Sequence, residues 1–293
     1  MSFLRECEGG GVFLNSENKG SIKPIGILDS GVGGLTVLDA VSKYMPNEDI
    51  VYFGDTKRAP YGQRSKDEIV SYVLQAINFL KSKNAKMILI ACGTATSYIS
   101  DITSIFEGEI PVFGIIKAAS CGASRSTKNG KIGVLCTPVS AKVGLFEKSI
   151  MGLNNCHKVY TFGCPILAPL IEKGINKENY EKLCAAVKFY VYSLKAYGVD
   201  TIVLGCTHYP IIGDIIKKYA GDEITLINPG EEVAKVLKNK LSVLSLENMD
   251  VHKREMEFFV SGDTQKFSKS VCDILGRESS PFVGQVNIEK YGS

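Results

Sequence analysis

No apolar stretch in this 293-residue chain approaches the roughly 18–20 residues that a helix needs to cross a bilayer. The opening residues hold no continuous apolar segment of the kind a secretory signal carries, so export is not expected. Lysine and arginine form no long run, and the formal charge is only +3. Neither a nucleic-acid partner nor a membrane surface is therefore expected. The Gly-Lys-Ser/Thr of a phosphate-binding P-loop is missing. Nine cysteines are present, but their number is odd and no Cys-x-x-Cys pair occurs. That argues against a disulfide framework and against a closed zinc site. What remains is a soluble chain expected in the reducing cytoplasm, with several cysteines packed as small hydrophobes.

Hydrophobic residues make up 45% of the chain and charged residues 22%, the balance of a globular protein long enough for two domains of about 100–150 residues. Residues 1–21 are polar and Gly-rich and are expected to form a mobile extension. Structure begins at Pro24. Residues 25–29 (IGILD) predict a short buried strand, 30–34 (SGVGG) a tight turn, and 35–44 a helix with Leu35, Leu38 and Val41 on one side. Residues 50–53 predict a second strand. Ser65 and Glu68 have capping-box spacing before a helix whose apolar face carries Ile69, Val73, Leu74, Ile77 and Leu80. The continuous apolar run at 87–91 suits a strand of a parallel sheet covered on both faces. Strands alternating with helices predict an α/β, doubly wound architecture.

The second half repeats this order. Residues 131–138 (KIGVLCTP) echo 24–31 (PIGILDSG), residues 181–197 predict a long helix, and residues 201–205 a strand. The strand at 87–91 runs into Cys92-Gly-Thr, and the strand at 201–205 runs into Cys206-Thr-His. Asp29 precedes Cys92 by 63 residues and Thr137 precedes Cys206 by 69. Duplication of one α/β unit accounts for both. Residues 255–263 predict a late strand and turn that return to the first unit. The expected division is 22–116 with 228–293 for the first domain and 117–227 for the second.

In open α/β sheets, ligands bind beyond the carboxyl ends of the strands, and Cys92 and Cys206 stand at two such ends. A helix starting just after each would lower the thiol pKa and keep some thiolate available. Two sulfurs aimed at one cleft from opposite sides suit inversion of a stereocentre, where one group removes a proton and another delivers one to the opposite face. One strand-end cysteine alone is more often packing; two in matched contexts reverse that reading. Thr94 and Thr207 add hydroxyl donors for the charge developing on a carboxylate. His208 is placed to tune Cys206. Asp29 is placed to orient a thiol or hold a substrate ammonium group, unless it serves only as a turn or N-cap residue.

The segments GILDSGVGGLTVL (26–38), YFGDTKRAPYGQRS (52–65), ILIACGTATS (88–97), IGVLCTPVS (132–140), CPILAPLIE (164–172), LGCTHYP (204–210), NPG (228–230) and VSGD (260–263) closely resemble the glutamate racemases of the aspartate/glutamate racemase superfamily, in family order. The resemblance implies two pseudo-symmetric flavodoxin-like domains with the active site between them, and no pyridoxal phosphate, metal or nucleotide. It implies that Cys92 and Cys206 are the acid/base pair, with Cys92 facing the α-proton of D-glutamate and Cys206 that of L-glutamate. Asp29 and His208 would assist them, and Glu172 would support His208. Ser30, Pro60, Tyr61, Gly62, Thr94 and Thr207 would hold the substrate. D-glutamate would be made for peptidoglycan, and a homodimer is a common assembly in the family. One departure stands out. Many members carry Asn directly after the first cysteine, where its side chain helps to bind substrate; here the residue is Gly93, which offers only its backbone N–H.

Four rival readings follow from the same residues. An aspartate racemase would use the same chemistry in a shorter pocket. A nucleotide-binding protein would use the GVGG turn at 31–34, but the dinucleotide pattern requires Gly or Ala at position 36, where Thr36 stands. A non-catalytic binding protein would bind ligand without turnover. A cysteine hydrolase would need a nucleophile–base–orienter triad, and the sequence establishes none.

Overall fold

The computed structural model describes residues 22–106, 110–249 and 254–292. The extension expected at residues 1–21 lies outside them. Two parallel sheets organise the chain. The first holds β1 (Ile25–Asp29), β2 (Ile50–Gly54), β3 (Met87–Ile90) and β4 (Val112–Gly114), joined by β9 (Met256–Val260) and β10 (Val283–Gln285). Its order is β10-β9-β2-β1-β3-β4. The second holds β5 (Lys131–Cys136), β6 (Lys158–Gly163), β7 (Thr201–Leu204) and β8 (Thr225–Ile227), in the order β6-β5-β7-β8. The late strand at 256–260 pairs with β2 of the first sheet, in register from Ile50 opposite Met256.

The four strands β2-β1-β3-β4 and the four strands β6-β5-β7-β8 are wound identically, which is the duplication expected from sequence. The registers also correct one detail. Ile25 stands opposite Met87 in the first sheet, and Ile132 opposite Thr201 in the second. The counterpart of Asp29 is therefore Cys136, and that of Ser30 is Thr137. Cys92 and Cys206 are equivalent, each five residues beyond the first residue of its strand.

The helices form where periodicity and caps coincide. Helix α1 (Leu35–Tyr44) buries Leu35, Leu38 and Val41. Helix α2 (Lys66–Ser82) starts at the Ser65/Glu68 capping box and carries Asp67 and Glu68 in its first turn, where the helix dipole favours anions. Two very short helices, α3 (Gly93–Thr96) and α4 (Ile99–Ile105), follow Cys92. Helix α5 (Ile115–Ser126) leads from the first sheet to the second. Helices α6 (Pro138–Val143) and α7 (Leu145–Leu153) follow β5, and α8 (Leu167–Glu172) follows β6. Helix α9 (Lys177–Lys195) starts four residues before the predicted helix, because Asn176 caps it by accepting from the Asn179 N–H at 3.0 Å. Helices α10 (Gly213–Ala220), α11 (Pro229–Val243) and α12 (Thr264–Leu275) complete the set.

One apolar cluster runs through both halves. It joins Ile27 and Leu89 of the first sheet and Val134 and Val203 of the second to Ala119 of α5 and Leu237 of α11. The two connecting helices thus pack within one core and hold the sheets against each other. Among the described residues no helix is long and apolar enough to cross a membrane. Among the described residues, seven cysteines are free thiols and Cys121 in α5 is disulfide-bonded, where the sequence argued only against a disulfide framework.

Candidate active site

In each sheet the winding reverses between its first and third strands, so the crevice that can accept a ligand opens beyond β1/β3 and β5/β7. Asp29, Ser30 and Cys92 stand at the first of these edges, and Cys136, Thr137 and Cys206 at the second. The edges face each other across a cavity of about 110 Å³. Ser30, Pro60, Tyr61, Gly62, Cys92, Gly93 and Thr94 line it from the first half; Glu172, Cys206, Thr207 and His208 line it from the second. Eleven of the twelve residues expected at the site are therefore brought together, and Asp29 stands just behind them. Clefts of about 530 and 580 Å³ contain no thiol, so chemistry rather than size makes the smaller cavity the candidate.

Cys92 is the N-cap residue of α3 and is buried. Its thiol donates to the Ser30 hydroxyl at 3.5 Å. Burial first, and the neighbouring Asp29 carboxylate second, push its pKa up to about 12. This overturns the expected depression. The helix after Cys92 has only four residues, so its dipole is small, and desolvation of a thiolate outweighs it. Cys206 is followed by a 3₁₀ turn at Tyr209–Ile212, not by an α-helix.

Asp29 is 1% exposed. One carboxylate oxygen accepts from the Gly31 N–H at 2.9 Å and the other from the Thr207 hydroxyl at 3.4 Å. Burial raises its pKa, opposed by His208 and by these hydrogen bonds. Asp29 thus acts as a turn residue and also ties the Thr207 loop of the second half to the first.

The Cys206 sulfur lies 3.6 Å from His208 Nδ1, and His208 Nε2 lies 2.9 Å from Glu172 Oε1. The second contact is a pairing of charge more than an aligned hydrogen bond. Burial alone would lower the His208 pKa. Cys206 and Glu172 outweigh it and hold the imidazole well above its ordinary value. His208 in turn holds the Glu172 carboxyl below the usual range. The result is a chain of sulfur, imidazolium and carboxylate ending at the surface, since the Glu172 side chain is 38% exposed.

The loop carrying Pro60, Tyr61 and Gly62 is anchored by the fully buried Asp55. Asp55 accepts from Tyr61 Oη at 2.6 Å, Arg58 Nε at 2.7 Å and Ser261 Oγ at 2.7 Å. Spacing alone did not mark Asp55 or Ser261, which meet only because β9 lies beside β2.

Thr137 and Cys164 also line the cavity and were not singled out. Thr137 Oγ1 lies 3.0 Å from Thr94 Oγ1 and bonds to Ser140 Oγ at 3.0 Å, so a chain of hydroxyls crosses between the halves. The signal for Thr137 was its place in the repeat, opposite Ser30. The GVGG turn offers little room for a phosphate: Thr207 and His208 pack against Gly33, and Thr36 Oγ1 donates to Thr207 O at 2.9 Å. Among the described residues no three His, Cys, Asp or Glu side chains gather closely enough to ligate a metal ion.

Residues 35–237 match the family model described as Asp/Glu/Hydantoin racemase. The chain is 39% identical over 269 residues to glutamate racemase 2 of Caldanaerobacter subterraneus subsp. tengcongensis, covering 92% of this chain and 99% of that one. A crystal structure of a glutamate racemase from Bacillus anthracis superposes with a TM-score of 0.85 at 35% identity, over 92% of this chain and 98% of that one. The glutamate racemase of Francisella tularensis subsp. tularensis, solved in complex with D-glutamate, gives 0.83 at 31% identity, over 92% and 99%. With its family model matched over most of its length and its fold shared with these enzymes, the chain belongs to the glutamate racemases of the Asp/Glu/hydantoin racemase family, which are isomerases.

Proposed function

We propose that this isomerase interconverts L- and D-glutamate by passing protons between the substrate and two thiols, without a cofactor. The observation that carries the reading is that Cys92 and Cys206, equivalent by internal repeat, line one cavity from opposite halves. With L-glutamate bound, Cys206 is the base. The His208 imidazolium beside it stabilises the thiolate, and Glu172 stabilises the imidazolium. Cys92, whose pKa stands at about 12, is protonated and delivers its proton to the opposite face. In the reverse direction the two exchange roles. Ser30, Thr94 and Thr207, with the backbone N–H of Gly93, would meet the substrate carboxylates, where negative charge builds as the α-proton leaves.

The D-glutamate bound to the Francisella relative favours the same substrate here. Peptidoglycan is the proposed destination of the product, the cytoplasm the proposed compartment and a homodimer the proposed assembly. The boundaries proposed for the two domains are those expected from sequence.

Polarimetry of L-glutamate with the wild-type protein and with Cys92→Ser and Cys206→Ser tests the reading. The wild-type protein should bring the rotation to zero, and each variant should slow that decay by about 10²–10⁴-fold, the range for loss of an acid/base group. Full activity in either variant refutes the two-thiol assignment. Activity on L-aspartate in place of L-glutamate would keep the chemistry and change the substrate.

A further inference from the structure

We propose that Gly93 is a positioning residue whose missing side chain lets the two halves seat against each other and so sets the spacing of the two thiols. The inference rests on the two-thiol reading above. A methyl group built on Gly93 would stand 2.6 Å from the carbonyl oxygen of Gly205, the residue before Cys206. Ordinary contact begins at 3.4 Å, so the gap must widen by about 0.8 Å. The obstructing atom belongs to the backbone, and Gly205 cannot easily withdraw. Its own N–H is bonded to Leu135 O at 2.7 Å, and a methyl group on it would stand 2.8 Å from that same oxygen. A side chain at position 93 is thus relieved by moving one half away from the other.

Gly33 supports the same turn from the other side. A methyl group there would meet the Thr207 hydroxyl and, at 2.6 Å, His208 Nδ1. The segment 205–208, which carries Cys206 and His208, therefore sits in a seat made by two glycines of the first half. Cys92 is bonded directly to one of them. Any widening at Gly93 is passed to both sulfurs, and a misplacement of about 1 Å costs up to roughly 10²-fold in rate.

Gly93→Asn separates this inference from the simpler idea that the chain has only lost a side-chain donor. If a donor were all that is missing, Asn would lower KM or raise turnover. The spacer role predicts that Gly93→Asn and Gly93→Ala each lower turnover by about 10–100-fold. It also predicts a change in partition. Starting from L-glutamate in D2O, the base can still remove the α-proton while the opposite thiol delivers late. The ratio of deuterium returned to L-glutamate over deuterium carried into D-glutamate should rise above the wild-type ratio. General loss of structure would lower both together.

Wild-type turnover and ratio in Gly93→Asn overturn the inference. If the Gly93 variants do not fold, Gly33→Ala displaces the same turn and should raise the same ratio; an unchanged ratio there also overturns it. A wild-type protein that racemises nothing would overturn the proposed function instead, and this inference with it.

Discussion

Glu172 offers a sharp handle on the Cys206 side of the site, because it reaches the thiol through His208. Its Oε1 lies 2.9 Å from His208 Nε2. At an effective dielectric constant of about 20, unit charges at this distance attract by about 6 kcal/mol. The His208 side chain is 6% exposed but that of Glu172 is 38% exposed, so solvent screens the pair. A net value of about 1–2 kcal/mol, between exposed and buried pairs, is the working figure. Glu172→Gln removes that attraction and so lowers the imidazolium pKa. In the proposed mechanism that imidazolium stabilises the Cys206 thiolate. The alkaline limb of kcat/KM for L-glutamate should therefore move toward lower pH, with roughly tenfold less activity above it, the rate equivalent of about 1.4 kcal/mol. Initial rates by circular dichroism across the alkaline range give the profile. An unmoved limb, or one displaced upward, would refute the coupling of Glu172 to Cys206 through His208.

The same substitution has a stability signature. The raised His208 pKa stabilises the fold fully below about 6.5 and less as pH rises through the folded value; the lowered Glu172 pKa stabilises it above about 4.3 and less as pH falls through its folded value. The melting-temperature gap between wild type and Glu172→Gln should be widest between those limits, and a gap that grows steadily toward alkaline pH would contradict the pairing. Asp29→Asn removes the anion that, after burial, raises the Cys92 thiol. Alkylation of Cys92 by iodoacetamide should then reach half its maximal rate at lower pH, and an identical profile would show that Asp29 does not act on Cys92. Tyr61→Phe removes the 2.6 Å hydrogen bond to the buried Asp55. Chemical denaturation should show a loss of about 1–2 kcal/mol, with KM rising more than kcat falls as the loop loosens. Unchanged stability and KM would dissociate that anchor from substrate binding.

Much of this arrangement was legible in the sequence, for identifiable reasons. The buried runs at 25–29, 50–53 and 87–91 have no competing period, and Ser65 with Glu68 fixes where α2 begins. The equivalence of Cys92 and Cys206 could be read because each follows a four-residue apolar strand at the same offset. Other features were hidden by physics that spacing does not record. Strand β6 lies at a sheet edge and is only partly buried, so KVYTFG at 158–163 shows no strong apolar pattern. The upward shift of Cys92 depends on burial and on Asp29, which are three-dimensional, and on a helix too short to oppose them. Thr137 and Cys164 enter the cavity only because the second half folds over the first. Gly93 reads in the sequence as a lost donor; its contact with Gly205 becomes visible only once the two strand ends are facing.

The most direct test of two-thiol inversion follows the α-hydrogen during the first turnovers of L-glutamate in D2O. In the proposed mechanism each thiol exchanges its proton with solvent and serves one face. The account predicts that D-glutamate formed early carries deuterium at Cα, while remaining L-glutamate keeps its proton. D-glutamate that retains the original α-proton would show that one group had moved it from face to face, and would contradict the assignment of Cys92 and Cys206 as an opposed pair.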